Sequence, residues 1–201
     1  MQNVSAGLCF CLRHLWSVSA DSGWLVCVLV LARHRSGARH LAIHPDKTHI
    51  YVNEEAGAKV TVYDWDASAG ILTPTQTLTT LPKGFTASVF TAELALGPNA
   101  KTLHVANRVW PPLPDGDDKG FLTTYAVNAD ASLSFLAHTE LGRHPRHFKF
   151  SPCGKFMVCG AMHEHRVDVF KMDERGVPQP TDKSLAMVCA RHAQPIIPLV
   201  V

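Results

Sequence analysis

The sequence predicts an all-β protein of propeller type, built from about three four-stranded blades. Three observations carry this reading. Short apolar runs of period-two character alternate with turn chemistry from Gly37 to Asp66, as expected of a strand meander. That pattern returns twice, first as LALGPNAKTLHVANR with FLTTYAVN and then as FKFSPCGKFMVCGAM with RVDVFKMD. The marker residues Pro45, Pro98 and Pro152 stand 53 and 54 residues apart, and Tyr63, Tyr125 and Phe170 close the third strand of each copy. A repeat of that length made of short strands is the signature of a propeller blade.

Taken in order, the elements justify themselves locally. In the first blade, about 39–81, strands are expected near 40–44, 49–54, 59–65 and 71–79, with Gly70 supplying a left-handed turn before the last. The second blade covers about 93–141 and carries an insertion, VWPPLPDGDDKG from Val109 to Gly120, whose prolines and glycines forbid a strand and indicate a surface loop. The third blade is expected over 146–201, interrupted at Gly176-Val-Pro-Gln-Pro180, and the tail Ser184 to Val201 ends in PIIPLVV, an apolar segment whose alternation suits a strand. Residues 1–36 lie outside the repeat. Their run Trp24 to Ala32 is too short to span a bilayer, where about 20 residues are needed, and its basic residues follow the core rather than precede it as a secretory leader requires. A buried strand or non-native sequence is the expectation there.

Composition narrows the class of function only slightly. With 201 residues, 46% hydrophobic and 18% charged, the chain can bury a sizeable core. A net charge of +2 without any Lys/Arg run leaves no nucleic-acid footprint. Six cysteines (Cys9, Cys11, Cys27, Cys153, Cys159, Cys189) form no CxxC pair, which suits free thiols in a reducing cytosol, so a cytoplasmic location without membrane association is expected.

Gly-Ala-Arg39-His40 followed by HPDK, YVNE, VTVYDWD, ILTPTQTLTTLPKGFT, AEL, LHVANR and HPRHFKFSPCGKF resembles the seven-bladed β-propeller lactonases. That family includes bacterial-type 6-phosphogluconolactonases and fungal carboxy-cis,cis-muconate cyclases. The resemblance runs from about Gly37 to the C-terminus and covers three of the seven blades, so it implies an incomplete ring whose open blade edges face solvent or another chain. It also implies hydrolysis of an anionic sugar-acid lactone, as in 6-phosphogluconolactonase. The alternatives are a lactone-forming muconate cyclase, or a non-catalytic propeller remnant serving as a binding or oligomerisation surface. The family's proposed active-site residues fall on Arg39, Glu54 and Arg108 in this sequence. Ala38 stands where the family usually has proline.

The repeat itself points to the same end of the blades. Counting five residues back from each marker proline gives His40, Glu93 and His147, and one earlier gives Arg39, Ala92 and Arg146. Counting seven forward from Lys47, Lys101 and Lys155 gives Glu54, Arg108 and Met162. Both sets belong at one end of the central channel. The expected site therefore has Arg39, Glu54 and Arg108 as catalytic residues and His40, Glu93, Arg146 and His147 as substrate-binding residues. Arginine grips a carboxylate or phosphate through its planar fork, and Glu54 or His40 is the candidate base for a water. Arg39 and Arg146 as blade-to-blade ion pairs, and His40 and His147 as strand-end caps, are the plain structural alternatives. Glu54 is favoured over its neighbour Glu55 because Asn53-Glu54 and Asn107-Arg108 look equivalent. No motif requires a metal or organic cofactor; His163 and His165 share a strand face only weakly suited to a metal, and the DGDD run lacks the twelve-residue calcium ligand series.

Overall fold

A computed structural model describes residues 37–112 and 118–187, all within the compact unit Ala32–Val201. They form twelve strands in three antiparallel four-stranded sheets, each in simple sequence order. The first sheet holds β1 (Ala38–Ile43), β2 (His49–Glu54), β3 (Lys59–Asp66) and β4 (Ile71–Thr79). The second holds β5 (Val89–Leu96), β6 (Thr102–Val109), β7 (Lys119–Val127) and β8 (Leu133–Arg143), and the third β9 (Pro145–Phe150), β10 (Phe156–Ala161), β11 (Arg166–Met172) and β12 (Pro178–Ala186). A single 3₁₀ turn, Met162–Glu164, links β10 to β11. This is the all-β, three-bladed architecture that the repeat predicts. The N-terminal segment 1–36, the loop positions Asp115 and Asp117, and the tail beyond Met187 lie outside the described residues.

One expectation about the third blade is corrected. Gly176-Val-Pro-Gln-Pro180 does not interrupt it: Gly176 makes the turn at φ 78°, and the fourth strand starts at Pro178 and runs through Pro180, which sits opposite Phe170. Proline lacks an N–H, so it is excluded from a central strand but not from an edge whose outer side needs no donor. β12 is such an edge, the outermost strand of its sheet. The same reasoning admits Pro74 in the edge strand β4.

The sheets stack face to face in chain order, and β6 shows why the middle blade is the keystone. Every one of its residues is buried, and the alternation of a strand sends successive side chains to opposite faces. Leu103 and Val105 pack with Tyr51, Val60 and Val62 of the first blade. Ala106 packs with Phe148, Met157 and Phe170 of the third, and the His104 ring lies edge-on to Phe150 with centroids 4.9 Å apart. Burial pushes the His104 imidazole down to about 3, so it is neutral, with its two nitrogens bonded to Thr102 Oγ1 (2.9 Å) and Thr124 Oγ1 (3.1 Å).

The first strands β1, β5 and β9 lie side by side, and each ladder breaks register at the same place: between Ala38 and Leu41, between Thr91 and Leu94, and opposite Gly160 and Ala161. A bulge re-aims the side chains around it. Here it brings His40, Glu93 and His147 together. Glu93 Oε1 accepts from His40 Nδ1 of the first blade (3.0 Å), and Oε2 pairs with His147 Nδ1 of the third. Asn53 fills the gap that the first bulge leaves, its Oδ1 accepting from the His40 N–H (2.8 Å) while Nδ2 reaches Ala92 O (3.0 Å).

Glu93 is only 9% exposed. Burial alone pushes its carboxyl up, but the bonds from His147 and His40 outweigh that and hold it at about 2, against an ordinary 4.5. A carboxylate depressed on folding stabilises the protein above its ordinary value and loses that contribution as pH falls through the folded one. Converted at 1.36 kcal/mol per pH unit, the contribution is about 3 kcal/mol. Wild type should therefore be more stable than Glu93→Gln at neutral pH, and urea melts should show the gap closing as pH drops from 4.5 towards 2; a gap that does not change with pH would show that Glu93 is not held as an ion.

Candidate functional site

The three blades share a turn that fixes how their residues correspond. In each, the residue two after the marker proline is left-handed: Lys47 at φ 61°, Ala100 at 56° and Gly154 at 69°. Thr48, Lys101 and Lys155 then play the same part, each offering its carbonyl to the end of the third strand at 2.7 to 2.9 Å. Lys47 is thus one position out of step with Lys101 and Lys155. Counting ten forward from each proline gives Glu55, Arg108 and Met162, and the cross-strand partners Leu41↔Val52, Leu94↔Val105 and Phe148↔Cys159 confirm that register.

Glu55 accordingly, and not Glu54, is the carboxylate that meets the arginines. Arg39 Nη1 donates to Glu55 Oε1 at 3.1 Å, and Arg108 Nη2 pairs with the same oxygen. Oε2 has no partner among the described residues. Arg39 also ties its blade to the next by donating from Nε to Ala92 O (3.1 Å). Glu54 instead accepts from Thr61 Oγ1 on β3 (3.0 Å). A one-residue step along a strand reverses the face presented, which is why the neighbouring glutamates have separate surroundings.

The ends of β2, β6 and β10 and the starts of the blades' first strands line a cavity of about 520 Å³ that opens to solvent, within the range of small-molecule sites. Glu55, Arg108, Trp110, His144, Arg146 and His163 line it. Arg108 is 7% exposed; burial, then the charge of Arg39, lowers its affinity for its proton, and Glu55 opposes them. His144 is 3% exposed, and burial followed by the Arg108 charge pushes its imidazole down to about 4. It is therefore neutral near pH 7. Since Arg108 Nη1 can only donate, His144 Nε2 accepts that bond (3.3 Å) and the ring proton resides on Nδ1. His144 Nδ1 and Arg108 Nε are both buried donors without a hydrogen-bond partner among the described residues.

The 3₁₀ turn completes the wall. Glu164 Oε2 accepts from the Arg143 N–H (2.9 Å), and Gly142 permits the approach, since a Cβ there would lie 2.3 Å from that oxygen. The turn so pinned stacks His163 on His144 at 4.4 Å and 20°, and Trp110 meets His144 edge-on at 5.5 Å.

Of the residues anticipated from sequence, Arg39 and Arg108 converge on one carboxylate, and His40, Glu93 and His147 converge on the network between the first strands. Arg146 is exposed at the cavity rim and makes no hydrogen bond or ion pair with any described residue. His163, Glu164 and His165 do not converge: His163 faces Asp118 (3.6 Å), Glu164 pairs with Arg166 (3.1 Å), and His165 is exposed. Asp118, from the DGDD run, is fully buried and paired with Arg143. A second cavity of about 260 Å³ holds the ion pairs of Lys119 with Glu140 (2.7 Å) and of Arg166 with Asp168 (2.7 Å). Sequence reasoning missed Glu55, His144 and Trp110. Counting from the prolines finds the first; His144 holds the left-handed place that Gly37 holds in the first blade, where there is no side chain to compare.

Comparison with known proteins agrees with this architecture. The periplasmic gluconolactonase PpgL of Pseudomonas aeruginosa superposes with a TM-score of 0.67 at 31% identity, covering 76% of this chain and 40% of that one. A 6-phosphogluconolactonase of Pectobacterium carotovorum is 28% identical over 140 residues, 69% of this chain and 40% of the relative. A putative 6-phosphogluconolactonase from Bacteroides uniformis gives a TM-score of 0.65 at 26% identity, covering 78% and 42%. The chain thus spans about 40% of the length of the relatives it matches. The family described as "Lactonase, 7-bladed beta-propeller" matches residues 14–190, and the chain belongs to that family.

Proposed function

We propose that the cavity binds and hydrolyses the lactone of an anionic sugar acid, of the 6-phosphogluconolactone kind. The observation that carries this reading is the set of polar side chains gathered at one cleft: Glu55, held through Oε1 by two arginines, with Arg108, the neutral His144 and the exposed Arg146. Lactone hydrolysis needs a base for water, donors for the developing oxyanion and a grip on the substrate.

In this scheme Glu55 Oε2 orients a water and takes its proton as the water oxygen attacks the lactone carbonyl. The negative charge that develops on the carbonyl oxygen is met by the Arg108 guanidinium and by the His144 Nδ1–H, which is covered in the free chain and turns towards the substrate by a small shift of the wall. The ring C–O bond then breaks, and the proton carried by Glu55 passes to the departing alkoxide to leave the open hydroxy acid. Arg39 holds Glu55 in place. Arg146 receives the anionic group, phosphate or carboxylate, through its fork. The names of the relatives divide between a gluconolactonase and 6-phosphogluconolactonases, and the free arginine at the rim favours the charged substrate.

Turnover of 6-phosphogluconolactone by the 201-residue chain, above the spontaneous rate, tests this. Glu55→Gln should lower kcat by about 100-fold or more and His144→Phe by about 100-fold, while Glu54→Gln stays near wild type. Arg146→Ala should raise KM for the phosphorylated lactone and spare unphosphorylated gluconolactone. Equal rates for wild type and Glu55→Gln would remove Glu55 from the mechanism. Turnover confined to a carboxymuconate lactone would support the cyclase reading instead, and binding without turnover by the folded chain would make it a binding module.

A further inference from the structure

The turn between β1 and β2 carries a second constellation, at the opposite end of the first blade. His44, Asp46 and His49 each present one ligand atom within 4.8 Å of those of the other two. Both imidazoles aim Nδ1 at the same carboxylate oxygen: His44 lies 2.9 Å from Asp46 Oδ2, and His49 lies 2.6 Å from it. The other oxygen is occupied, Asp46 Oδ1 accepting from the N–H of Thr48 (2.8 Å) and of His49 (3.2 Å). The carboxylate is thereby fixed with Oδ2 towards the rings.

The turn does not need these side chains for its shape. Gly97-Pro98-Asn99 and Ser151-Pro152-Cys153 make the same turn in the other blades. The closing bonds are the same throughout, His44 N to His49 O (2.9 Å), Gly97 N to Thr102 O (2.8 Å) and Ser151 N to Phe156 O (2.9 Å). The positions of His44, Asp46 and His49 are held there by Gly97, Asn99 and Thr102, and by Ser151, Cys153 and Phe156. One side-chain bond, from the Lys101 N–H to Asn99 Oδ1 (3.0 Å), is all that the second blade uses. The third blade uses Ser151 Oγ, which accepts from the Phe156 N–H (3.1 Å) and pairs with Cys153 Sγ (3.3 Å); the first blade alone gathers two imidazoles and a carboxylate. His49 Nε2 lies 3.5 Å from Asp64 Oδ1, on the side from which an outer carboxylate orients a metal-bound histidine.

We infer that His44, Asp46 and His49 form a binding site for one divalent transition-metal ion of the zinc class. Two imidazole nitrogens and a carboxylate oxygen are the donor set that zinc prefers over calcium or magnesium, with a fourth position left for water. The side chains are 20% to 35% exposed, so an ion can enter from solvent. β2 carries the chain from this turn to Glu55 over six residues, roughly 20 Å, which places the ion away from the lactone cavity. Its role is to clamp the first hairpin, stabilising the folded chain by an amount that rises with the logarithm of metal concentration above Kd.

The probe is ZnCl2 added to chelator-treated protein, read by isothermal titration calorimetry and thermal melts, with CoCl2 spectra to report the ligands. Wild type should bind one zinc per chain, gain several degrees in Tm at saturation, and give a Co(II) spectrum free of thiolate charge transfer. The double variant His44→Ala/His49→Ala, with its fold checked by circular dichroism, should lose both the binding and the shift. No stoichiometric zinc binding by wild type would overturn the site whatever the variant does. Equal binding by the double variant, or a thiolate band, would place the zinc elsewhere on the chain.

Discussion

A single buried carboxylate, Glu93, holds the inner end of the structure together. It projects from the middle blade at a bulge and takes His40 from one neighbour on one oxygen and His147 from the other neighbour on the second. A buried charge is tolerable only when paired and bonded, so the three first strands must keep their mutual spacing for Glu93 to remain an ion. That spacing sets where each following residue falls. Arg39, next to His40, reaches both Ala92 O and Glu55. Arg146, next to His147, is left at the rim of the cavity.

The cavity follows from the same repeat used unequally. The three equivalent positions at the ends of the second strands hold Glu55, Arg108 and Met162: an acid, a base and an apolar residue. The first two pair across the blade boundary. The third leaves room, and the space is walled by His144 at a left-handed backbone position (φ 56°) and by the 3₁₀ turn that stacks His163 upon it. Regular strands hold the candidate site in place, and its charged and polar groups come from the irregular positions at their ends.

Much of this was legible before any coordinates. The prolines, the alternating strands and the third-strand aromatics carry blade number, strand order and the strands of the first blade, because period-two burial and turn chemistry are local properties of the chain. Counting from the lysines misplaced the carboxylate by one residue. Lys47 occupies the left-handed turn position that Ala100 and Gly154 occupy elsewhere, so it resembles Lys101 and Lys155 in type but not in place. Proline counting is immune to this, since the turn keeps a constant length from the proline onwards. The strand through Pro178 and Pro180 was hidden because proline reads as a breaker until one knows that the strand is an edge. His144 and Trp110 could not be found by repeat logic at all. Trp110 belongs to an insertion peculiar to the second blade, and His144 stands at the left-handed position that glycine, Gly37, fills in the first blade, so its side chain has no precedent there.

The central claim is that Glu93 couples the blades energetically and does not merely touch its neighbours. A double-mutant cycle on His40 and Glu93, each replaced singly and together by Ala and followed by urea unfolding, measures this most directly. Residues in one such network show couplings of about 0.5–3 kcal/mol, and the account predicts a value well inside that range. Single-variant effects that add with no coupling would contradict it.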